Sequence, residues 1–336
     1  MRILIYGAGA IGSDLGGMLS QSGQDVTLLA RGEQLLALQS SGLRVNRPNQ
    51  AEVSVPVRAL DGEHAGGDYD LIVVTLKSMQ LAAAAPDLIA RLAPQGTLLM
   101  VQNGLPWWYF ERHPSPWVGA RIHCLDPEGV LSKTIPLDRV LGAVIYKPVT
   151  QLAPGRIFLP NIMVPKLIMG EVDNALSDRL QQVQSLFQQS GLDTEISDNI
   201  RLAKWQKLMM NLIWNPLCAI TQSSPGHIVS SPGGEALVRQ LIAEGRAVAY
   251  GLGMPVLVDE DKEIQRVRDN FTQQPSMLQD VRAGRAIETD AIVNSVVELA
   301  GLAGVPTPAL RHVASLLEVL NQTIARNGVG IGLLNR

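Results

Sequence analysis

Cysteine is nearly absent from this 336-residue sequence: Cys124 and Cys218 stand far apart, in no C-x-x-C or other metal-like spacing. That excludes a disulfide framework and fits a reducing compartment, with both cysteines read as small apolar core positions. Histidine is scarce as well. His64, His113, His123, His227 and His312 form no ligand spacing, and none is given a role. No dense Lys/Arg run occurs, and 28 basic against 31 acidic side chains leave a net charge of −3, so nucleic acid is excluded as a partner. No apolar run is long enough to span a membrane; the longest, over 208–220, is broken by Asn211, Asn215 and Pro216, and the first residues enter a strand with no apolar leader segment. A cytoplasmic protein with no membrane partner is expected. Internal repeats and low-complexity tracts are missing too.

What the chain does have is length for two domains and a change of pattern along it. The first half alternates short β-branched runs with helical stretches. Residues 3–6, 26–29, 71–76 and 98–102 read as buried parallel strands of an α/β sheet. Apolar runs at 119–124, 140–149, 156–159 and 163–169 predict added, partly antiparallel strands extending that sheet. A helix over 176–189 and a strand over 194–196 finish a first domain at 1–197. From 198 to 336 the periodicity is helical throughout, with helices expected from 198 or 199 to 221 and over 233–252, 259–270, 276–283, 288–303 and 307–327.

Gly7-Ala8-Gly9-Ala10-Ile11-Gly12 follows the first predicted strand at once and opens a predicted helix. Strand before and helix after make this G-x-G-x-x-G a dinucleotide fingerprint: Gly7 for the tight turn, Gly9 for backbone approach to the pyrophosphate, Gly12 for close packing, with phosphate on the helix N-terminus. The second strand ends at Arg31, roughly 20 residues on, where an acidic residue would hold the ribose hydroxyl of NAD. A guanidinium there suits a 2′-phosphate and favours NADP, against the alternative of a solvated Arg31 with Glu33 on the ribose. Two more strand ends, Thr75-Leu76-Lys77 and Gln102-Asn103-Gly104, reach the same edge of the sheet. Lys77 can neutralise cofactor phosphate or be a surface lysine; Asn103 can present its amide to nicotinamide or substrate, or serve an Asn-Gly turn.

In the segment from Trp205 to Pro216, Lys207, Asn211 and Asn215 fall at i, i+4 and i+8 and share one helix face amid mostly apolar residues. Buried polar groups need partners, and a polar ligand is one; a structural network within the helical domain is the other. Desolvation lowers a lysine's pKa toward values where it can hand a proton to a developing alkoxide, as a ketone reductase requires. Ser276 reads as a helix cap and Glu288 as a helix-start acid.

The order of these motifs resembles the ketopantoate reductase (2-dehydropantoate 2-reductase) family along essentially the whole chain. The shared features are the glycine fingerprint with Arg31, Thr75-Leu76-Lys77, Gln102-Asn103-Gly104, the run from Trp205 through Lys207, Asn211 and Asn215 to Pro216, Ser276-Met277-Leu278-Gln279-Asp280, and Glu288-x-Asp290. The resemblance implies a Rossmann-type dinucleotide-binding domain hinged to an all-helical domain that closes on binding. It implies NADPH-dependent reduction of a small 2-keto acid, 2-dehydropantoate to pantoate, with Lys207 as general acid and Glu288 supporting the proton traffic. Gly7, Gly9, Ala10, Ile11, Gly12, Arg31, Lys77 and Asn103 would hold the cofactor; Asn103, Asn211, Asn215 and Ser276 the substrate; no metal is implied. A homodimer is an open option. The chain departs from the family after Gly104, where Leu105-Pro106-Trp107-Trp108-Tyr109-Phe110 replaces a short Gly/Asn/acid-rich turn, and over 142–170, which lacks the usual glycine- and histidine-rich pattern. The aromatics read either as reshaping the substrate pocket or as packing. Two other functions fit the residues: an NADP-dependent reductase or dehydrogenase of a different 2-keto or hydroxy acid, and a dinucleotide sensor without chemistry, against which Lys207 and Glu288 speak.

Overall fold

Short β-branched runs become strands wherever the first 200 residues offer them, and helices take over afterwards. The computed structural model describes residues 1–113, 115–269, 274–328 and 330. The chain divides into two units: Met1–Gln102, Phe110–Ala120 and Gly129–Ile200 make the first, and Asn103–Tyr109, Arg121–Glu128 and Arg201–Arg336 the second. Besides the main division at residues 200 and 201, two short stretches from the first half thus belong to the helical unit.

The first unit is a Rossmann-type α/β domain. Its strands are β1 (Arg2–Tyr6), β2 (Asp25–Leu29), β3 (Leu43–Asn46), β4 (Val53–Val55), β5 (Arg58–Leu60), β6 (Tyr69–Val74), β7 (Leu92–Met100), β8 (Val140–Tyr146), β9 (Thr150–Ala153), β10 (Arg156–Phe158), β11 (Lys166–Glu171) and β12 (Asp193–Ile196), with helices α1 (Ala10–Gln21), α2 (Gly32–Ser41), α3 (Leu81–Arg91), α4 (Val130–Thr134) and α5 (Asp178–Gln189). Eight strands form one sheet in the order β12-β11-β8-β7-β6-β1-β2-β5. From β8 to β5 all pairings are parallel; β11 pairs antiparallel with β8, and β12 parallel with β11. Both faces of the central strands are covered, which is why residues 3–6 of β1 and 71–74 of β6 read as unbroken apolar runs. Ile3, Ile5, Leu28, Leu71, Val73 and Leu99 on one face pack with Leu15 and Leu19 of α1 and with Val183 and Phe187 of α5 in one core.

Two sequence expectations are corrected here. Residues 119–124 form loop and turn, not a strand: the amides of Leu125 and Asp126 turn back to the Ile122 carbonyl, and those of His123 and Cys124 are taken by the Glu298 carboxylate rather than by a neighbouring strand. The strand at 156–159 joins a second, four-stranded sheet, β4-β3-β10-β9, rather than extending the first. That sheet draws on residues 43–55, whose brief apolar alternation gives little period to read; it buries Leu43, Val45, Val55 and Ile157 in the same core as α1.

The second unit is helical: α6 (Ile200–Thr221), α7 (Pro225–Val229), α8 (Pro232–Gly251), α9 (Glu260–Asp269), α10 (Ser276–Arg282), α11 (Ser295–Ala303) and α12 (Pro308–Asn327), with a π-turn at Asp290–Asn294 ahead of α11. Residue 270, the expected end of the 259–270 helix, lies outside the described residues. α6 is the central helix, with Trp205, Leu208, Met209, Leu212 and Ile213 all buried. Gly245 lets α8 press against Leu212 and Met209, Trp214 Nε1 donates to Glu263 Oε1 of α9 at 2.6 Å, and Glu244 accepts the free amides of Ala309 and Leu310 at the start of α12. Among the described residues no helix is long and apolar enough to cross a membrane, and no cluster of His, Cys, Asp and Glu could hold a metal ion.

Candidate active site

In the first unit, the carboxyl ends of β1, β2 and β6 converge on the glycine turn. Gly7 takes φ +110°, in the region that favours glycine. A Cβ on Gly12 would lie 2.1 Å from the Gly7 carbonyl and 2.5 Å from Thr75 Oγ1, so only glycine lets the first turn of α1 sit this close to β1 and β6. Gly9, by contrast, has open space where its Cβ would be, and as the residue ahead of α1 it offers no side-chain cap. The first turn of α1, Ala10-Ile11-Gly12, therefore begins with backbone amides and an uncluttered approach, the arrangement that receives a pyrophosphate. Thr75 Oγ1 donates to the Gly7 carbonyl at 2.6 Å and Gln34 Nε2 to the Ala8 carbonyl at 2.8 Å, fixing the turn from β6 and from α2. Neither helper was visible in the sequence, because each depends on a strand or helix meeting the turn in space.

Arg31 is exposed, directly after β2 and ahead of α2, and its charge reaches the Tyr6 hydroxyl at the end of β1. Glu33 is exposed in the first turn of α2. Lys77 is half-buried at the start of a short turn after β6, its backbone N–H held by Gln80 Oε1 at 3.0 Å. These residues fit a dinucleotide: a glycine cradle for the pyrophosphate and two cations beside it.

In the second unit, α6 brings Lys207 to Asn103. Lys207 Nζ donates to Asn103 Oδ1 at 2.8 Å. Burial pulls the Lys207 ammonium down to about 8, and the negative charge of Glu288 works against that fall. Asn103, Lys207 and Glu288 therefore form one group. Asn211 and Asn215 continue the same stripe; Asn215 is buried, and its Nδ2 donor has no hydrogen-bond partner among the described residues. Ser276 stands exposed as the first residue of α10. It is not the helix cap expected from the sequence, because Pro275 holds the capping position and makes no side-chain bond.

The sequence reading overlooked Lys204. It lies three residues before Lys207, on the same stripe as Asn211 and Asn215, and is 4% exposed. Burial, then the charge of Lys207, brings it to about 7. Its i−3 spacing was legible; an apolar setting on both sides hid it.

The aromatic tract after Gly104 is core. Trp107, Trp108, Tyr109 and Phe110 are all buried. Tyr109 accepts a hydrogen bond from Trp205 Nε1 at 2.7 Å with the rings edge to face, and Trp108 lies under the Arg201 guanidinium, which donates to the Tyr109 carbonyl at 2.6 Å. The packing alternative describes these side chains.

Comparison with known proteins identifies a family. A family model described as ketopantoate reductase PanE/ApbA matches residues 3–174, and its C-terminal counterpart matches residues 199–321. A 2-dehydropantoate 2-reductase of Mesorhizobium japonicum is 35% identical over 321 residues, covering 95% of this chain and 98% of its own. Among solved structures, a provisionally named ketopantoate reductase from Ralstonia solanacearum MolK2 superposes with a TM-score of 0.88 at 33% identity, over 98% of this chain and 99% of that one. A 2-dehydropantoate 2-reductase from Geobacter metallireducens does so with a TM-score of 0.80 at 27% identity, over 95% and 99%.

Proposed function

The chain belongs to the ketopantoate reductase family, and on that premise we propose that it reduces 2-dehydropantoate to pantoate with NADPH. One observation carries the reading: the half-buried Lys207 ammonium, brought to about 8 and held by Asn103 at 2.8 Å with Glu288 nearby, is a proton donor poised near neutral pH. A bound reduced nicotinamide would supply the hydride that C2 of the keto acid takes up. Lys207 Nζ gives its proton to the C2 oxygen as that oxygen gains negative charge, and the neutral amine is then reprotonated from solvent. Glu288, whose charge favours the ammonium, keeps Lys207 protonated before the step. Asn211, Asn215 and Ser276 orient the carboxylate and hydroxyl of the substrate, and the unpartnered Nδ2 of Asn215 is the donor best placed to gain from this.

A dinucleotide would be held by Gly7, Gly9, Ala10, Ile11 and Gly12 at its pyrophosphate, with Lys77 to neutralise phosphate charge, Asn103 to offer its amide to the nicotinamide and Arg31 to pair with a 2′-phosphate. The exposure of Arg31 directly after β2 supports NADPH over NADH. The protein works without a metal, as a cytoplasmic enzyme, and a homodimer is compatible with this chemistry.

NADPH oxidation followed by absorbance, with 2-dehydropantoate beside a panel of other 2-keto acids and with NADH for comparison, tests the proposal. Turnover selective for 2-dehydropantoate and NADPH is expected. Turnover confined to other keto acids would reassign the substrate, and none with any keto acid would remove the catalytic reading.

A further inference from the structure

Asn103 lies in a loop, yet its Oδ1 is set within hydrogen-bond distance of a lysine on a different element. A loop amide gains that accuracy only if its backbone is held. The next residue, Gly104, is buried and adopts φ +77°. A Cβ there would fall 2.1 Å from the carbonyl oxygen of Ala291, 2.5 Å from its carbonyl carbon and 2.8 Å from its Cβ. Two of these three are backbone atoms, which cannot swing aside as a flexible side chain would. One residue on, the Leu105 N–H donates to the same Ala291 oxygen at 2.9 Å.

Ala291 is fully buried inside the π-turn Asp290–Asn294. A π-turn inserts one residue into a helix and diverts carbonyls from the regular ladder. The Ala291 carbonyl takes the Leu105 amide and, at 3.1 Å, the Ser295 hydroxyl. The Ile292 N–H reaches back at 3.3 Å to the carbonyl of Glu288, the residue whose charge bears on Lys207. Glu288 lies two residues before the π-turn and is tied to it by that hydrogen bond, so the segment bearing Glu288 runs straight into the turn whose carbonyl seats the Asn103 loop.

We propose that Gly104, seated on the Ala291 carbonyl of the π-turn, is the positioning residue that holds Asn103 against the Lys207 ammonium. The π-turn thereby bears on two neighbours of Lys207 at once, Glu288 through the Ile292 hydrogen bond to its carbonyl and the Asn103 amide through the seated glycine. This inference concerns the same lysine as the proposed reduction and gains its catalytic meaning from that reading.

Gly104→Ala tests it through the acidity of Lys207, read from the pH dependence of Lys207 modification by an amine-reactive reagent with peptide mass mapping. Asn103 accepts from the ammonium and so favours the charged form; losing that bond lowers the pKa, by about one unit for a charge-assisted hydrogen bond. The same shift is expected in Asn103→Ala, and no further shift in the double variant. Where the enzyme turns over, kcat falls on the order of 100-fold in Gly104→Ala and little more when Asn103 is already alanine. Gly104→Asn tolerates the positive φ but retains a Cβ, and it must fall as far as alanine does. Should Gly104→Ala fail to fold, Ser295→Ala removes one donor from the same carbonyl without adding an atom and is expected to lower the Lys207 pKa only while Asn103 is present. Losses of equal size with and without Asn103, an unmoved Lys207 titration, or recovery in Gly104→Asn would overturn the proposal. The titration needs no substrate, so its failure is separable from a chain that reduces no keto acid.

Discussion

Lys207 is a single ammonium whose acidity sets the pH range in which the proposed reduction can run. Its protonated form is the donor, so kcat should be flat at lower pH and fall about tenfold per unit once pH passes about 8. Glu288 opposes the lowering of that pKa. Glu288→Gln should therefore move the fall to lower pH, and an unchanged profile of rate against pH would remove Glu288 from proton control. Arg31 makes the cofactor choice at the scale of one guanidinium. Arg31→Ala should weaken NADPH by roughly 10- to 100-fold, the range for one or two charge-assisted hydrogen bonds, while NADH binding stays within about twofold. Equal losses of the two cofactors in a fluorescence titration would sink the assignment of Arg31 to the phosphate.

Between elements, α1 and the residue that follows β8 are tied inside the first unit by an ion pair shielded from water. Asp14 Oδ2 lies 2.5 Å from Lys147 Nζ, with the two side chains 3% and 7% exposed. Burial pushes the Asp14 carboxyl up, and Lys147 pulls it back. The attraction in such a pair roughly offsets the desolvation of both ions, and most of what is measurable is the penalty for leaving one behind. Asp14→Ala or Lys147→Ala alone should cost about 3–5 kcal/mol in denaturant melts, whereas Asp14→Leu with Lys147→Met should cost little or nothing. Additive losses in the double variant would show that each side chain acts through other contacts. The pair sits one turn beyond the glycine cradle, so a single variant is also expected to loosen dinucleotide binding.

At the scale of the whole chain, what could be read in advance follows from how local each feature is. The parallel strands, the antiparallel extension at β11 and the helical second half were legible, because a buried strand or an amphipathic helix writes its period into consecutive residues. The small sheet β4-β3-β10-β9 was not, since strands of three or four residues carry too little period and pair across a gap of about a hundred positions. The site was legible in the same measure. The stripe of Lys207, Asn211 and Asn215 is a helical spacing; the approach of Asn103 to Lys207 joins residues 104 positions apart, and no spacing rule reaches that far. The seating of Gly104 on Ala291 and the burial of Trp108 under Arg201 are of this second kind. They bear on synthesis. A ribosome that has released only the first 200 residues has released Trp107, Trp108 and Tyr109 before Arg201 and Trp205 exist, and the amides of His123 and Cys124 well before Glu298. Through that interval the nascent chain carries Trp108 and Tyr109 without the Arg201 and Trp205 side chains that later pack on them, which exposes it to aggregation and to chaperones until the start of α6 has emerged.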